Sequence, residues 1–258
     1  MPDPFICTLT GVDEHTPIHK IARLQRQYPF VEFGVLVSPK RAGTGRYPSY
    51  QWIDALLSDG AISRRQMALH VCGEAVERLL SGAPDDMDRL SRLTRRVQLN
   101  FRYSPALRDR LAKLIYERPG ATFITQYNEA NCDVWNECPA PNHQVLFDRS
   151  GGRGITPDGW SVPHSRAQFG YAGGLGPENL AQQLPRIHAA AAGHNYWIDM
   201  ESGLRTEDRF DLDKAEQVLE IVNFFFSHWI GEMARDIGAS LPPTNEVTRT
   251  PVRSKNMH

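Results

Sequence analysis

Phe169-Gly170-Tyr171-Ala172-Gly173-Gly174-Leu175-Gly176-Pro177-Glu178-Asn179-Leu180, followed by Tyr196-Trp197-Ile198-Asp199-Met200-Glu201-Ser202-Gly203-Leu204, is the stretch whose reading decides the fold. Each part is a short apolar run that stops on small residues, and the first leads into a helix start. Glycine at such a turn lets a ligand oxygen come close to the backbone N–H groups. A helix N-terminus adds unpaired donors and partial positive charge. Two such turns in succession, closing a repeated strand–helix chain, make the usual phosphate site of an α/β barrel. The expectation is a barrel that holds a phosphorylated small molecule through Gly173, Gly174, Ser202 and Gly203.

Upstream, strand-like apolar runs recur at intervals suited to βα units: residues 5–9, 31–37, 67–71, 96–99, 122–126 and 144–147, before 169–172 and 196–200. Several are nearly continuous, as strands covered on the outside by helices should be. Helical patterns fall between them at 16–27, 50–57, 74–80, 105–116 and 177–191, and the longest runs over 212–237. Pro105 and Pro177 suit a first helical turn, where the missing N–H costs nothing. The reading is a single (β/α)8 or TIM barrel over residues 1–240 with a long C-terminal helix. Residues 241–258, poor in apolar side chains, read as a flexible tail. Two connections break the rhythm. Residues 127–142 are polar with no clear helix, and 148–166 are rich in Gly and Pro; in a barrel both would lie on the catalytic face.

A chain of 258 residues fits one large barrel or two small domains, and 41% apolar residues are enough for a full core. A net charge of -1 gives no long-range reason to expect nucleic acid or an anionic membrane as partner. Arg89, Arg92, Arg95 and Arg96, interleaved with Asp85, Asp86 and Asp88, read as a solvated helix face. No stretch reaches transmembrane length, and residues 1–10 lack a basic start and an apolar signal core, so the cytoplasm is the expected location. The four cysteines, Cys7, Cys72, Cys132 and Cys138, are too scattered for a disulfide scaffold, and Cys132 and Cys138 lack zinc-site spacing.

Catalytic groups of a barrel hang from the carboxyl ends of its strands, where Cys7, Ser38, Cys72, Asn100, Asn128, Asp148, Asp199 and Glu201 are the candidates. Cys7 and Asp148 stand out. A thiolate is a base where nearby positive charge lowers its pKa, and a carboxylic acid donates a proton where burial keeps it neutral. Each has a plainer reading: Cys7 as a small buried hydrophobe, Asp148 as a turn residue, the glycines as tight-turn residues, and Ser202-Gly203 as a cap. No GxGxxG opens a helix after the first strand, so nothing points to a dinucleotide.

These residues together resemble phosphoribosylanthranilate isomerase, a barrel enzyme of tryptophan biosynthesis. Ile6-Cys7-Thr8-Leu9-Thr10 is similar to that family's first-strand motif, whose Cys is the general base. Arg46-Tyr47-Pro48-Ser49 is similar to its second-strand loop, whose Arg faces the substrate carboxylate. Val145-Leu146-Phe147-Asp148 with Gly151-Gly152-Arg153-Gly154 resembles the sixth strand, whose Asp is the general acid. Ala172-Gly173-Gly174-Leu175 and Ile198-Asp199-Met200-Glu201-Ser202-Gly203 resemble the seventh- and eighth-strand phosphate loops. The resemblance covers residues 5–225. The chain departs from the family pattern at Phe5, at Thr8 where a Gly follows the Cys, at Asn100, at Glu201 and at Arg205.

The resemblance implies an Amadori rearrangement of a phosphorylated sugar derivative, with Cys7 as base and Asp148 as acid. It makes Arg46, Gly173, Gly174, Ser202, Gly203, Asp199 and Asn128 the substrate-binding set, and it requires no metal or organic cofactor. Two alternatives stand beside it: a divergent paralogue acting on another phosphosugar, and a non-catalytic barrel that binds a phosphosugar or a partner. No lysine ends a strand, which argues against a Schiff-base aldolase. Phe224, Phe225, Phe226 and Trp229 cover more than one face of the last helix. They read as sealing the outer core or, alternatively, as the contact of a homodimer.

Overall fold

The computed structural model describes residues 5–161 and 168–239, with side chains to His228. Eight parallel strands close on themselves: β1 (Ile6–Thr10), β2 (Val31–Val37), β3 (Met67–Cys72), β4 (Arg96–Asn100), β5 (Thr122–Tyr127), β6 (His143–Asp148), β7 (Phe169–Ala172) and β8 (Tyr196–Met200). Each pairs with the next, and β8 pairs back onto β1, with Cys7 opposite Ile198 and Thr8 opposite Asp199. The outer layer consists of α1 (Ile18–Gln27), α2 (Tyr50–Ser58), α3 (Glu74–Ser81), α4 (Asp86–Ser91), α5 (Arg108–Tyr116), α6 (Val134–Glu137), α7 (Leu180–Ala191) and the part of α8 (Leu212–Ala239) up to Asn223. A two-stranded ribbon, β9 (Arg205–Thr206) and β10 (Arg209–Phe210), follows β8. This is the (β/α)8 barrel that the periodicity predicts.

The helices sit where apolar residues recur at helical spacing. In α3, Ala75, Val76, Leu79 and Leu80 are buried on one stripe. Ser49 caps α2 by accepting from the Trp52 N–H, and Asp85 caps α4 by accepting from Met87 and Asp88. Helix α6, inside the stretch read as irregular, is too short for periodicity to reveal. Helix α7 begins at Leu180 rather than Pro177, because Asn179 turns its side chain back onto the preceding loop.

Side chains alternate between the barrel interior and the helical shell. Inside, Thr8 Oγ donates to Glu32 (2.9 Å), and Glu32 pairs with Arg96 at 3.0 Å. The Arg96 guanidinium lies 4.6 Å from the Trp197 ring centroid. Arg96 is therefore a buried floor residue and leaves the solvated arginine cluster proposed from sequence. Arg89 and Arg92 remain in that cluster, paired with Asp54, Asp86 and Asp88. Removing either partner of the buried pair would strand a charge, at about 3–5 kcal/mol. Trp197 fills the barrel centre with Ile124 and Leu146. Opposite it a Cβ on Gly170 would stand 2.2 Å from the indole, so this strand position must be glycine.

The described residues through Asn223 form one compact unit, and those from Phe224 onward belong to a second. Within the second, Phe224 is exposed and its ring lies 3.8 Å from that of His228. The 241–258 tail and the Trp229 side chain lie outside the described residues. Among the described residues, no helix is long and apolar enough to cross a membrane.

Candidate active site

Thr10, His70, Gln126, Asp148, Asp199 and Glu201 line a cavity of about 90 Å³ at the carboxyl ends of the strands. Two wider cavities of about 750 and 760 Å³ flank it, one on the β4–β6 side and one on the β2–β3 side.

Strand parity decides what β1 contributes. Thr8 and Thr10 point inward, toward Glu32 and Asp199. Alternation therefore sends Cys7 and Leu9 into the shell beneath the helices. Cys7 is fully buried and does not line the mouth. Burial pushes its thiol pKa well up, and the charges of Asp199 and Glu32 push the same way. The structure thus does not bring the sequence-predicted base to the mouth or favour its thiolate. Thr10, followed by Gly11, ends β1 in the mouth.

On the far side of the rim the expected residues are in position. Asp148, 4% exposed, ends β6 in the mouth. Its carboxylate accepts from Gln126 Nε2 (3.1 Å), Ser150 Oγ (2.9 Å) and the Gly152 N–H (2.6 Å). Three donors converging on one carboxylate fix its orientation. Asp199 on β8 accepts from Thr10 Oγ at 2.7 Å. Burial raises its pKa to about 8; the Thr10 bond opposes the shift, and the charges of Glu201, Glu32 and Asp148 add to it. Asp148 and Asp199 both pair with Ala172, so they share one layer two strands apart. At one sheet spacing per strand, their Cα atoms are about 10 Å apart.

Both glycine turns adjoin this layer. Gly173 and Gly174 have φ of 136° and 57°, which only glycine adopts freely. Gly203 packs on Leu175 and Gly176 so closely that a Cβ would meet the Leu175 carbonyl at 2.3 Å. Among the described residues, the N–H groups of Gly173, Gly174, Ser202 and Gly203 have no hydrogen-bond partner. The loop after β6 lies directly against them. A Cβ on Gly174 would meet Gly154 O and Thr156 N at 2.7 Å, and one on Gly154 would meet Ser202 Oγ at 2.3 Å. Part of the glycine requirement is therefore loop packing, and the turns keep N–H donors without a partner among the described residues.

Arg46 lines the mouth, but its fork is occupied. Nη1 donates to Glu201 at 2.5 Å and Nη2 to Asp208 at 3.1 Å. Glu201, one of the departures from the family pattern, pairs with Arg46, while Arg205 pairs with Asp13 at 3.0 Å. Asn128 lines the β4–β6 cavity instead of the mouth, and its Oδ1 accepts from the Ala130 N–H.

Sequence reasoning missed Thr10, His70 and Gln126 as mouth residues. They lie on β1, β3 and β5, and their inward position follows from the register of these strands against their neighbours, which only the closed barrel fixes. Burial lowers the pKa of His70 to about 3, keeping it a neutral donor or acceptor. No group of three or more His, Cys, Asp or Glu among the described residues is placed to hold a metal ion.

No known family's sequence profile matches the chain, and no curated protein does. Solved structures do. The chain is similar to N-(5'-phosphoribosyl)anthranilate isomerase from Pyrococcus furiosus, with a TM-score of 0.54 and 14% identity over 85% of this chain and 99% of that one. It is similar to phosphoribosyl anthranilate isomerase from Thermococcus kodakaraensis, with a TM-score of 0.52, 14% identity and the same coverage. At this identity the likeness establishes the fold.

Proposed function

We propose that the protein is an acid/base isomerase of a phosphorylated sugar derivative, carrying out the Amadori-type rearrangement that the sequence resemblance implies; the solved structures of like fold are isomerases by name. The observation that carries this reading is the pair Asp148 and Asp199: two buried carboxylates in one layer of the mouth, beside two turns with unpartnered N–H groups. Their surroundings differ, and that difference divides the labour. Asp199, buried and hydrogen-bonded by a hydroxyl, keeps a proton near neutral pH. Asp148, ringed by three donors, is the acceptor.

In this mechanism the glycosylamine nitrogen of an aminoaldose pushes open the bond between carbon 1 and the ring oxygen. Asp199 protonates the departing oxygen, leaving a protonated Schiff base. Asp148 then removes the proton on carbon 2, and the electrons neutralise the nitrogen to give an enolamine. Loss of the proton on oxygen 2 and protonation of carbon 1 give the aminoketose. The turns at Gly173–Gly174 and Ser202–Gly203 anchor the phosphate and supply positioning, which is worth much of the barrier in a well-oriented site. Against the resemblance, Asp199 takes the acid role in place of Asp148, and Cys7 takes none.

The test is turnover of phosphoribosylanthranilate generated in place, followed by loss of its fluorescence. Activity lost in both Asp148→Asn and Asp199→Asn supports the reading; activity surviving either substitution overturns the assignment. A folded wild-type protein that binds ribose 5-phosphate without turnover moves the function to another phosphosugar or to binding alone. The hydroxyl of Thr10, standing at the end of β1, is the observation that favours this second reading.

A further inference from the structure

The two flanks of the mouth differ in charge. On the β2–β3 side, Arg46 is held by Glu201 and Asp208, and Arg41 lies 5.3 Å from the Tyr47 ring centroid. A substrate carboxylate brought to Arg46 would be a third carboxylate on one guanidinium. On the β4–β6 side, the cavity of about 750 Å³ is lined by Arg102 after β4 and by Arg149 and Arg153 after β6. None of these three arginines forms an ion pair among the described residues; Arg153 uses only Nε, donating to Ser150 O at 2.8 Å. Glu129 and Asp158 line the same cavity; among the described residues neither carboxylate forms an ion pair with an arginine, and Arg186 Nη2 donates to the Asp158 backbone carbonyl at 2.9 Å. Asn128 and Thr156 add neutral polar groups. The cavity shares the wall residues Gln126 and Ser150 with the mouth, and both donate to Asp148.

We propose that Arg102, Arg149 and Arg153 bind a second oxyanion of the substrate, at the end remote from the phosphate turns, so that the substrate carries an anionic group at each end. Planar guanidinium forks suit carboxylate and phosphate alike, and their exposure fits a group that enters from solvent. Gln126 and Ser150 then link the distal site to the reacting centre, because both bond the carboxylate that takes the carbon 2 proton. The inference rests on the reading of the mouth as a phosphosugar site, and it moves recognition of the distal anion from Arg46 to the opposite wall.

Equilibrium binding by calorimetry tests it without turnover. The probes are glucose 6-phosphate with one anionic end, and fructose 1,6-bisphosphate and 6-phosphogluconate with two. The wild-type protein should bind at least one of the doubly anionic sugars tenfold or more tighter than glucose 6-phosphate. Which of the two is preferred identifies the distal group as phosphate or carboxylate. Arg102→Ala and Arg149→Ala should each erase most of that preference and leave glucose 6-phosphate binding unchanged, whereas Arg46→Gln should keep it. Equal binding of all three sugars, or a preference that survives both arginine substitutions, overturns the distal site and leaves the phosphate turns standing. Binding of none of the three removes both readings together.

Discussion

The β1–β2 and β6–β8 parts of the same rim were equally suggestive in sequence, and they fared differently. On β6–β8, Asp148, Asp199 and the two glycine turns stand around the mouth where their motifs put them. On β1–β2, Cys7 turns its side chain into the helical shell, and Arg46 is engaged by Glu201 and Asp208. The difference lies in what each motif encodes. A glycine turn is a property of the backbone and survives wherever the chain turns. A catalytic side chain depends on strand parity, and at the seam between β8 and β1 one residue of offset exchanges interior for exterior.

The largest expected effect would break this comparison outright. Asp199→Asn should lower kcat/KM by about a thousandfold, some 4 kcal/mol of transition-state stabilisation, while Cys7→Ala should stay within about threefold. Steady-state kinetics with both variants decides it, and the reverse ranking would return the base to β1.

Next is pH. Asp199 has a folded pKa of about 8, above its ordinary value of 3.8. Between those values the unfolded chain gives up the proton that the folded one keeps. Stability should therefore fall as pH rises from about 4 to 8, by an amount on the order of a few kcal/mol. Urea midpoints should show this slope in the wild type and a flatter one in Asp199→Asn. His70, depressed to about 3 from 6.5, acts in the opposite direction: its contribution is present above pH 6.5 and lost as pH falls toward 3. Activity through Asp199 as acid should decline as pH rises past about 8.

A smaller effect sharpens the β7 side. Gly174→Ala puts a Cβ at a positive φ and against the Gly154–Thr156 backbone, so phosphosugar affinity should drop about tenfold, roughly 1.4 kcal/mol. An unchanged affinity, measured by calorimetry, would make these glycines packing residues only. The smallest effect belongs to Arg46→Gln, which should change KM by no more than about twofold, because Arg46 already serves the protein's own carboxylates.

Much of this molecule was legible as text. The eight runs of apolar residues gave the strands, and Ser49 and Asp85 marked helix starts, because periodicity and capping are local. Asp148 was found because it ends a strand before a Gly-rich loop. Arg96 was misplaced among solvated arginines because its neighbours in sequence are charged, whereas its neighbours in space are Glu32 and Trp197. Glu201 departs from the family pattern, and its partner is Arg46, far away in the chain, at 2.5 Å.

The sequence by itself determined the barrel, the order of its strands and the two glycine turns, since each follows from residue spacing and backbone freedom within a few positions. Only the tertiary structure decided which face of β1 looks inward, which carboxylate is dry enough to keep a proton, and which arginines remain unpaired. Those properties depend on closure of β8 onto β1 and on charges contributed by distant strands, and desolvation and Coulomb energy are set by distances that chain order does not record.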